Sequence, residues 1–277
     1  MLQHPEDHNF PLPVDADYKA TKFRPLTAAP PHMRAFHLAW LNLFSCFFST
    51  FSIPPLLPLI RHDLNLSAVD IGHAGSVSFA ASVLSRLLMG PTCDLVGPRI
   101  ASATLSLVTA PIVLATSLIS TPQAFIATRF LLGFSLANFV STQFWMTSMF
   151  SLVTVAAANA VAAGWANAGT GVTQLLMPLI HSLFISLFNV SSSTAWRLTF
   201  IVPALFQTLT GVLVLVFGQD TPLGKHAKTT SCGERKSVLK VVLGGLGNYR
   251  GWVLGMVYGM SFGVELTVDN VIAGVFL

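Results

Sequence analysis

From about Ala156 to Leu187 the chain runs apolar for longer than the about 20 residues that the hydrocarbon core of a bilayer needs. A stretch of that length is a membrane helix, and it must tilt or protrude. At its centre, Ala163 to Pro178 reads AGWANAGTGVTQLLMP. At about 100° per residue, Gly164, Asn167, Gly171, Gln174 and Pro178 share an arc of about 80°. Glycines let a neighbouring backbone approach closely, whereas an amide in hydrocarbon costs free energy unless it meets a partner or a polar ligand. The face therefore reads in one of two ways. It is either a packing surface with interhelical amide hydrogen bonds or one wall of a polar path.

Six further apolar stretches repeat the pattern: Phe36–Ile60, Ile71–Pro91, Ile100–Ile119, Gln123–Ser148, Arg197–Phe217 and Arg250–Leu277. Only 9% of residues are charged, against roughly a quarter in soluble domains. The fold class expected is all-α, a polytopic membrane helix bundle. Residues 1–35, rich in proline and charge, read as a flexible cytoplasmic tail; 36–217 hold six helices; 218–249 form a basic linker; 250–277 make a seventh helix. Pro54, Pro55 and Pro58 should distort the far end of the first span, which membrane helices tolerate when neighbours satisfy the freed carbonyls.

The net charge of +4 is an orientation signal rather than a nucleic-acid surface. Of the 15 Lys and Arg residues, 11 fall in the tail, at Arg99, in the central linker and at Arg250, all on one side if the spans alternate. That side, with the N-terminus, is expected to be cytoplasmic. The two glycosylation sequons, at Asn65 and Asn189, fall on the opposite side. Cys46, Cys93 and Cys232 show no metal-binding spacing, and neither a metal nor a cofactor is expected. Nothing around His62 and Asp63 forms a nucleophile and base, so enzymatic chemistry is not expected.

Arg86 lies well inside the second span, with Gly75, Ser78 and Ser82 within about 80° of it. A lipid-facing charge costs about 2.5 to 3.5 kcal/mol even on the gentler scales, so this guanidinium must face the bundle interior or an aqueous cavity. It either pairs with a buried carboxylate or holds an anion. On the seventh span Tyr258, Phe262, Glu265 and Asp269 fall within about 60° of one another, an aromatic face bearing two carboxyls.

Between spans two and three stands GPTCDLVGPR, residues 90–99. Its G-x-x-x-D-x-x-G-x-R spacing resembles the loop signature of the major facilitator superfamily at every fixed position: Gly90, Asp94, Gly97 and Arg99. Arg129 followed by Gly133 resembles the fourth-helix pair of the same superfamily. There the arginine joins a charge cluster with the aspartate of the turn, so Arg129 is placed with the gating turn. Together with GWANAGTG, SRLLMGPTCDLVGPR, RFLLGFSLANFVSTQFWMTSMF, GQDTP and NYRGWVLGMVYGMSFGVELTVDNVIAG, these residues make the chain similar to the nitrate/nitrite porter family, in particular to plant high-affinity nitrate transporters. FSCFFSTFSIPP and GWANAG look closest to its vacuolar, seed-associated branch.

The resemblance implies the N-terminal six-helix half of a major facilitator fold plus the seventh helix, with the remaining spans absent. It implies a substrate held between two halves by one arginine from helix two, here Arg86, and one from helix eight. Tyr258 and Phe262 match the aromatic lining, and Asn167 adds a neutral donor. Gly164, Gly169, Gly171 and Gln174 belong to the packing signature of helix five, in which Ala166 and Thr170 replace the family's glycines. The partners implied are nitrate, protons with Glu265 as coupling carboxyl, the lipid bilayer and a single-span accessory protein, at the plasma or vacuolar membrane. Nitrate is planar and monovalent, so a guanidinium matches it in charge and in shape. As a piece of such a carrier the chain is not expected to transport alone. The competing readings are a non-transporting partner that modulates a full-length carrier, and a facilitator for another small anion such as nitrite.

Overall fold

A computed structural model describes residues 10–224 and 247–275; in the last helix the side chains of Glu265 and Leu266, and those from Asp269 onward, lie outside the described residues. The described chain is helical throughout, apart from isolated backbone bridges. The helices are α1 (His32–Thr50), α2 (Leu57–Leu64), α3 (Ala68–Val96), α4 (Pro98–Ala115), α5 (Pro122–Gly133), α6 (Asn138–Met149), α7 (Val155–Phe188), α8 (Ser192–Thr199), α9 (Ile201–Phe217) and α10 (Tyr249–Val275). With short 3-10 turns, α1 to α9 form six stretches that, among the described residues, are long and apolar enough to cross a membrane; α10, the expected seventh span, is not one of them. The tail-bearing end of α1 defines a near side of the bundle and the end at Thr50 a far side.

The prolines act where the sequence places them. Pro54–Leu56 is a 3-10 turn that breaks the first span into α1 and α2. Pro122 takes an N-terminal helical position, where its missing N–H costs nothing, and Thr121 caps α5 by accepting from the Ala124 N–H. Ser67 and Asp70 close a reciprocal capping box that starts α3.

The expected turn over residues 90–99 is corrected. Helix α3 continues through Gly90 and Pro91 to Val96, and the reversal happens at one residue, Gly97, with φ 87° and ψ 154°. That φ is the reason a glycine stands there. Gly90 lies within the helix, with open space where a Cβ would be.

Packing places α1 at the centre and leaves α7 largely bare. Helix α1 is buried nearly all round, against α7, α9, α6 and α4. Helix α7 buries one stripe, Ala158, Ala162, Ala166, Gly169, Thr170, Thr173, Met177 and His181, and leaves the others exposed or half-buried. Gly169 is its close-packing glycine: a Cβ there would lie 3.1 Å from the Phe44 carbonyl oxygen. Gly164 and Gly171, expected to pack beside it, meet nothing within 4 Å. They lie on the opposite face, together with exposed Asn167.

The expected flexible tail is corrected as well. Residues 10–31 fold onto the near side, where Leu12 and Ala20 are buried and Phe23 packs edge-on against Phe36 and Phe150. Ala20 exchanges backbone hydrogen bonds with Met149 and Ser151, and Thr154 Oγ1 donates to its carbonyl at 2.7 Å. The buried His32 ring reaches the Tyr18 carbonyl through Nε2 at 2.9 Å. Sparse apolar residues suffice here because the segment docks largely through its backbone.

Both ends of the bundle carry ion pairs that join distant helices. On the far side Arg197 Nη2 meets Asp63 Oδ2 at 2.9 Å, with the Trp196 indole N–H donating to the same oxygen. On the near side the GQDTP segment gathers four helices. Asp220 accepts from the Arg99 backbone N–H and pairs with its side chain at 3.4 Å, while Gln219 accepts from Trp145 and Arg34.

Candidate functional site

Two polar regions lie inside the bundle. The first is a buried hydrogen-bond network at the junction of α1, α4, α6 and α9. The Asn42 amide donates to Ser102 Oγ at 2.7 Å, and its oxygen accepts from Ser106 and Thr210. Asn138 donates to Ser106 Oγ at 3.1 Å and to Cys46 Sγ at 3.0 Å, and accepts from Ser141 at 2.6 Å. Gln207 donates to Thr109 Oγ1 at 2.6 Å. All of these amides are fully buried. The network shows how Ser102, Ser106, Thr109, Ser141 and Thr210 sit in an apolar bundle: their hydroxyls find partners on neighbouring helices or on the preceding turn.

The second region centres on Arg86 of α3. Its guanidinium carbon lies 5.9 Å from the centroid of the Phe139 ring and 5.5 Å from that of Phe262. The cation is thus held between an aromatic ring from α6 and one from α10, at cation–π distance from both. Tyr258 stacks on Phe262, with centroids 5.6 Å apart and planes at 12°. Arg86 Nε and Nη2 are enclosed and meet no hydrogen-bond partner among the described residues. Those two nitrogens form the side-on edge of the guanidinium, the edge that grips an oxyanion with two parallel hydrogen bonds. A buried N–H left unpaired costs about 1 to 3 kcal/mol, more when charged, so this edge is an energetic liability until something accepts from it.

The structure therefore brings together Arg86, Phe262 and Tyr258 from the sequence expectation and adds Phe139, which that reading did not single out. Phe139 lies one helical turn from Gln143 and next to Asn138. An aromatic between two amides on one membrane helix is the signal that could have found it. Asn167 stands apart from this contact set. It is exposed on α7, yet it directly follows Ala166, which shares an apolar cluster with Leu43, Phe47, Phe51, Phe139 and Phe262. Helix α7 thus passes beside the slot. Gln174 is half-buried one turn beyond Gly171. Ser78 and Ser82 are buried where α3 meets α5, and a Cβ on Gly133 would collide with the Ser78 carbonyl oxygen.

Arg129 is a correction. The charge cluster with Asp94 implied by the resemblance does not form, because the two residues belong to opposite sides of the bundle. Arg129 is buried near the far side, reaches the Thr50 carbonyl through Nη1 at 3.5 Å and lines a small cavity with Ile71, Ala74 and Gly75. Asp94 is on the last turn of α3, about 28 Å along the helix from Gly75 at 1.5 Å per residue. Arg99 is bound to Asp220 and to the carbonyls of Leu215 and Gly218, so this arginine locks α4 to the end of α9. Glu265, the expected coupling carboxyl, has its side chain outside the described residues. Asn65 and Asn189 are exposed on the far side in left-handed conformation, with φ 51° and 49°, as the residues that end α2 and α7.

Comparison with known proteins gives the family and the fold. The Major Facilitator Superfamily profile matches residues 39–275. High affinity nitrate transporter 2.7 of Arabidopsis thaliana is 55% identical, over 96% of this chain and 56% of that protein. High-affinity nitrate transporter 2.3 of Oryza sativa subsp. japonica is 52% identical, over 95% and 51%. Nitrate transporter 2.1 of Chlamydomonas reinhardtii is 41% identical, over 95% and 49%. The chain spans about half the length of the curated relatives it matches. Among solved structures, a bacterial homologue of the human lysosomal transporter Spinster, in an inward-facing and unoccupied conformation, superposes with a TM-score of 0.65 over 88% of this chain and 55% of that one, at 15% identity.

Proposed function

Because the chain belongs to the Major Facilitator Superfamily, we propose that its Arg86 slot is one wall of the substrate path of a high-affinity nitrate transporter. The observation that carries this reading is the enclosed, unpartnered side-on edge of Arg86 between two aromatic rings. A flat monovalent oxyanion would accept from Nε and Nη2 together, and the rings of Phe139 and Phe262 would exclude water on either side. Plant relatives more than 50% identical are named for this substrate.

The protein is an integral, multi-pass membrane protein with a transporter fold. We place its near side in the cytoplasm, since the basic tail, Arg99 and the linker all fall there, at the plasma or vacuolar membrane. Asn167 faces the path from α7, and Glu265, on the helix that bears Phe262, is the carboxyl proposed to couple nitrate to protons. A single-span accessory protein remains a proposed partner. Alternating access needs one half to rock against another, so the Arg86 wall works only opposite a second wall.

Labelled-nitrate uptake in cells lacking their own nitrate carriers tests the reading. The chain by itself is expected to give no saturable uptake. A chimera that completes it with the C-terminal half of a relative is expected to give uptake that Arg86→Ala abolishes. Uptake in the chimera that survives Arg86→Ala would overturn the assignment of Arg86.

A further inference from the structure

Beneath the Arg86 slot a groove runs to the near side along one face of α6. It is a cavity of about 490 Å³ lined by Phe139, Val140, Gln143, Phe144, Thr147, Ser148 and Lys19. Phe139 at its inner end is the ring that faces Arg86. From Phe139 to Thr147 the helix rises about 12 Å. The groove therefore leads from the ring that faces the guanidinium to the surface on the side where the N-terminal segment docks.

Two cationic or N–H donor groups face this space. Gln143 Nε2 is enclosed and has no hydrogen-bond partner among the described residues, beside the apolar side chains of Phe139, Val140 and Phe144. Lys19 stands at the mouth, where its ammonium donates to the Thr147 carbonyl at 2.9 Å and keeps two further protons. The position of Lys19 is built rather than incidental. Tyr18 adopts φ 61°, the Asp15 side chain accepts from the backbone N–H of Asp17 and Lys19, and the Ala20 backbone is paired to Met149 and Ser151. The Asp15 carboxylate is thus spent on its own loop. Among the described residues no carboxylate lines the groove, and the hydroxyls of Thr147 and Ser148 donate to helix carbonyls. What remains for a passing ion is a positive charge and an amide N–H.

We propose that this groove is the near-side vestibule of the anion path and that Lys19, delivered by the N-terminal segment, forms with Gln143 a second station for a small monovalent anion. The inference rests on the reading of Arg86 as the substrate arginine and extends it towards the cytoplasm. It gives the docked segment a role in conduction that anchoring alone would not supply.

The test is local anion access. In the full chain carrying Cys232→Ser, Ser148→Cys is labelled with a small fluorophore, and quenching by iodide, by caesium and by neutral acrylamide is compared. Iodide is expected to quench more strongly than caesium. Lys19→Gln is expected to lower iodide quenching about threefold, the change in local concentration that one unit charge produces at about 6 Å in a water-like dielectric. Acrylamide quenching should stay unchanged, and Lys19→Arg should restore the iodide value. An iodide constant that is insensitive to Lys19→Gln, or that moves in step with acrylamide, would show that Lys19 only anchors the segment and would overturn the proposal. Arg86→Gln separates the two readings: it should leave iodide quenching at position 148 intact while abolishing uptake in the completed chimera. Retained uptake in Arg86→Gln would sink the Arg86 reading by itself.

Discussion

The amide network around Asn42 and Asn138 and the slot around Arg86 are both polar regions inside one apolar bundle, and they differ in what they leave unmade. In the network both groups of each asparagine amide find partners, and Gln207 leaves only an acceptor, Oε1, unmatched. In the slot a charged donor edge meets, among the described residues, aromatic faces and no acceptor. A closed network fixes helices against one another, because breaking any bond leaves a group stranded in hydrocarbon. An open charged edge does the reverse and stores a demand for a ligand. The contrast separates polar residues that hold the scaffold from those that handle a solute, and substitutions can break it.

Arg86 should give the largest effect. Hydrogen bonds to charged groups contribute about 1.5 to 3 kcal/mol each, so in the completed chimera Arg86→Ala should weaken nitrate affinity by more than about 100-fold. Arg86→Lys, which keeps charge but not the fork, should still lose about tenfold. Equilibrium binding of labelled nitrate to the purified chimera measures both, and equal affinity for Lys and Arg would remove the bidentate argument. Asn138→Leu should do the opposite: it takes one hydrogen bond each from Ser106, Ser141 and Cys46, which keep their other partners, and should cost about 1 to 2 kcal/mol of stability. Thermal unfolding in detergent would register that loss, while nitrate affinity per folded molecule stays within about twofold. A large affinity change in Asn138→Leu would mean that the two regions are coupled.

The sequence announced the two regions unequally. Arg86 was legible because a charge in the middle of an apolar run has few physical outcomes, and Tyr258 and Phe262 because they share a helical face. The network was not legible. Asn42, Ser45, Ser102, Ser106 and Thr210 are scattered over α1, α4 and α9, and only their packing shows that they converge. Span positions could be read, but their ends could not: helix α3 passes through Gly90 and Pro91 because a membrane helix tolerates a proline, and only Gly97, at positive φ, turns the chain. The amide face of α7 was read correctly as a face but not as an exposed one. Wheel geometry tells which residues travel together, not what lies opposite them.

A smaller effect is expected at Phe139, which belongs to the slot through its ring and borders the network through Asn138. Phe139→Leu keeps the apolar volume roughly constant and removes one cation–π contact, a loss of about 0.5 to 2 kcal/mol. Nitrate affinity in the chimera should fall by about two- to thirtyfold, with the unfolding temperature nearly unchanged. If stability falls and affinity does not, the ring serves the scaffold and the boundary between the two regions must be redrawn on its other side.

The smallest and most diagnostic effects are expected from the glycines of α7. Gly169 packs 3.1 Å from the Phe44 carbonyl oxygen, measured from where a Cβ would stand, so Gly169→Ala must push α1 and α7 apart and should cost about 1 kcal/mol in the chain alone. Gly164 and Gly171 have open space at that position, and Ala is a better helix former, so either substitution should leave the chain alone as stable or raise its stability by up to about 0.5 kcal/mol. In the completed chimera the sign should change for Gly171 if its face packs against the added half. Uptake would then drop although the isolated chain is no weaker. Gly171→Ala that is neutral in both settings would leave the face exposed to lipid or water, and Asn167 would then lose its place beside the path.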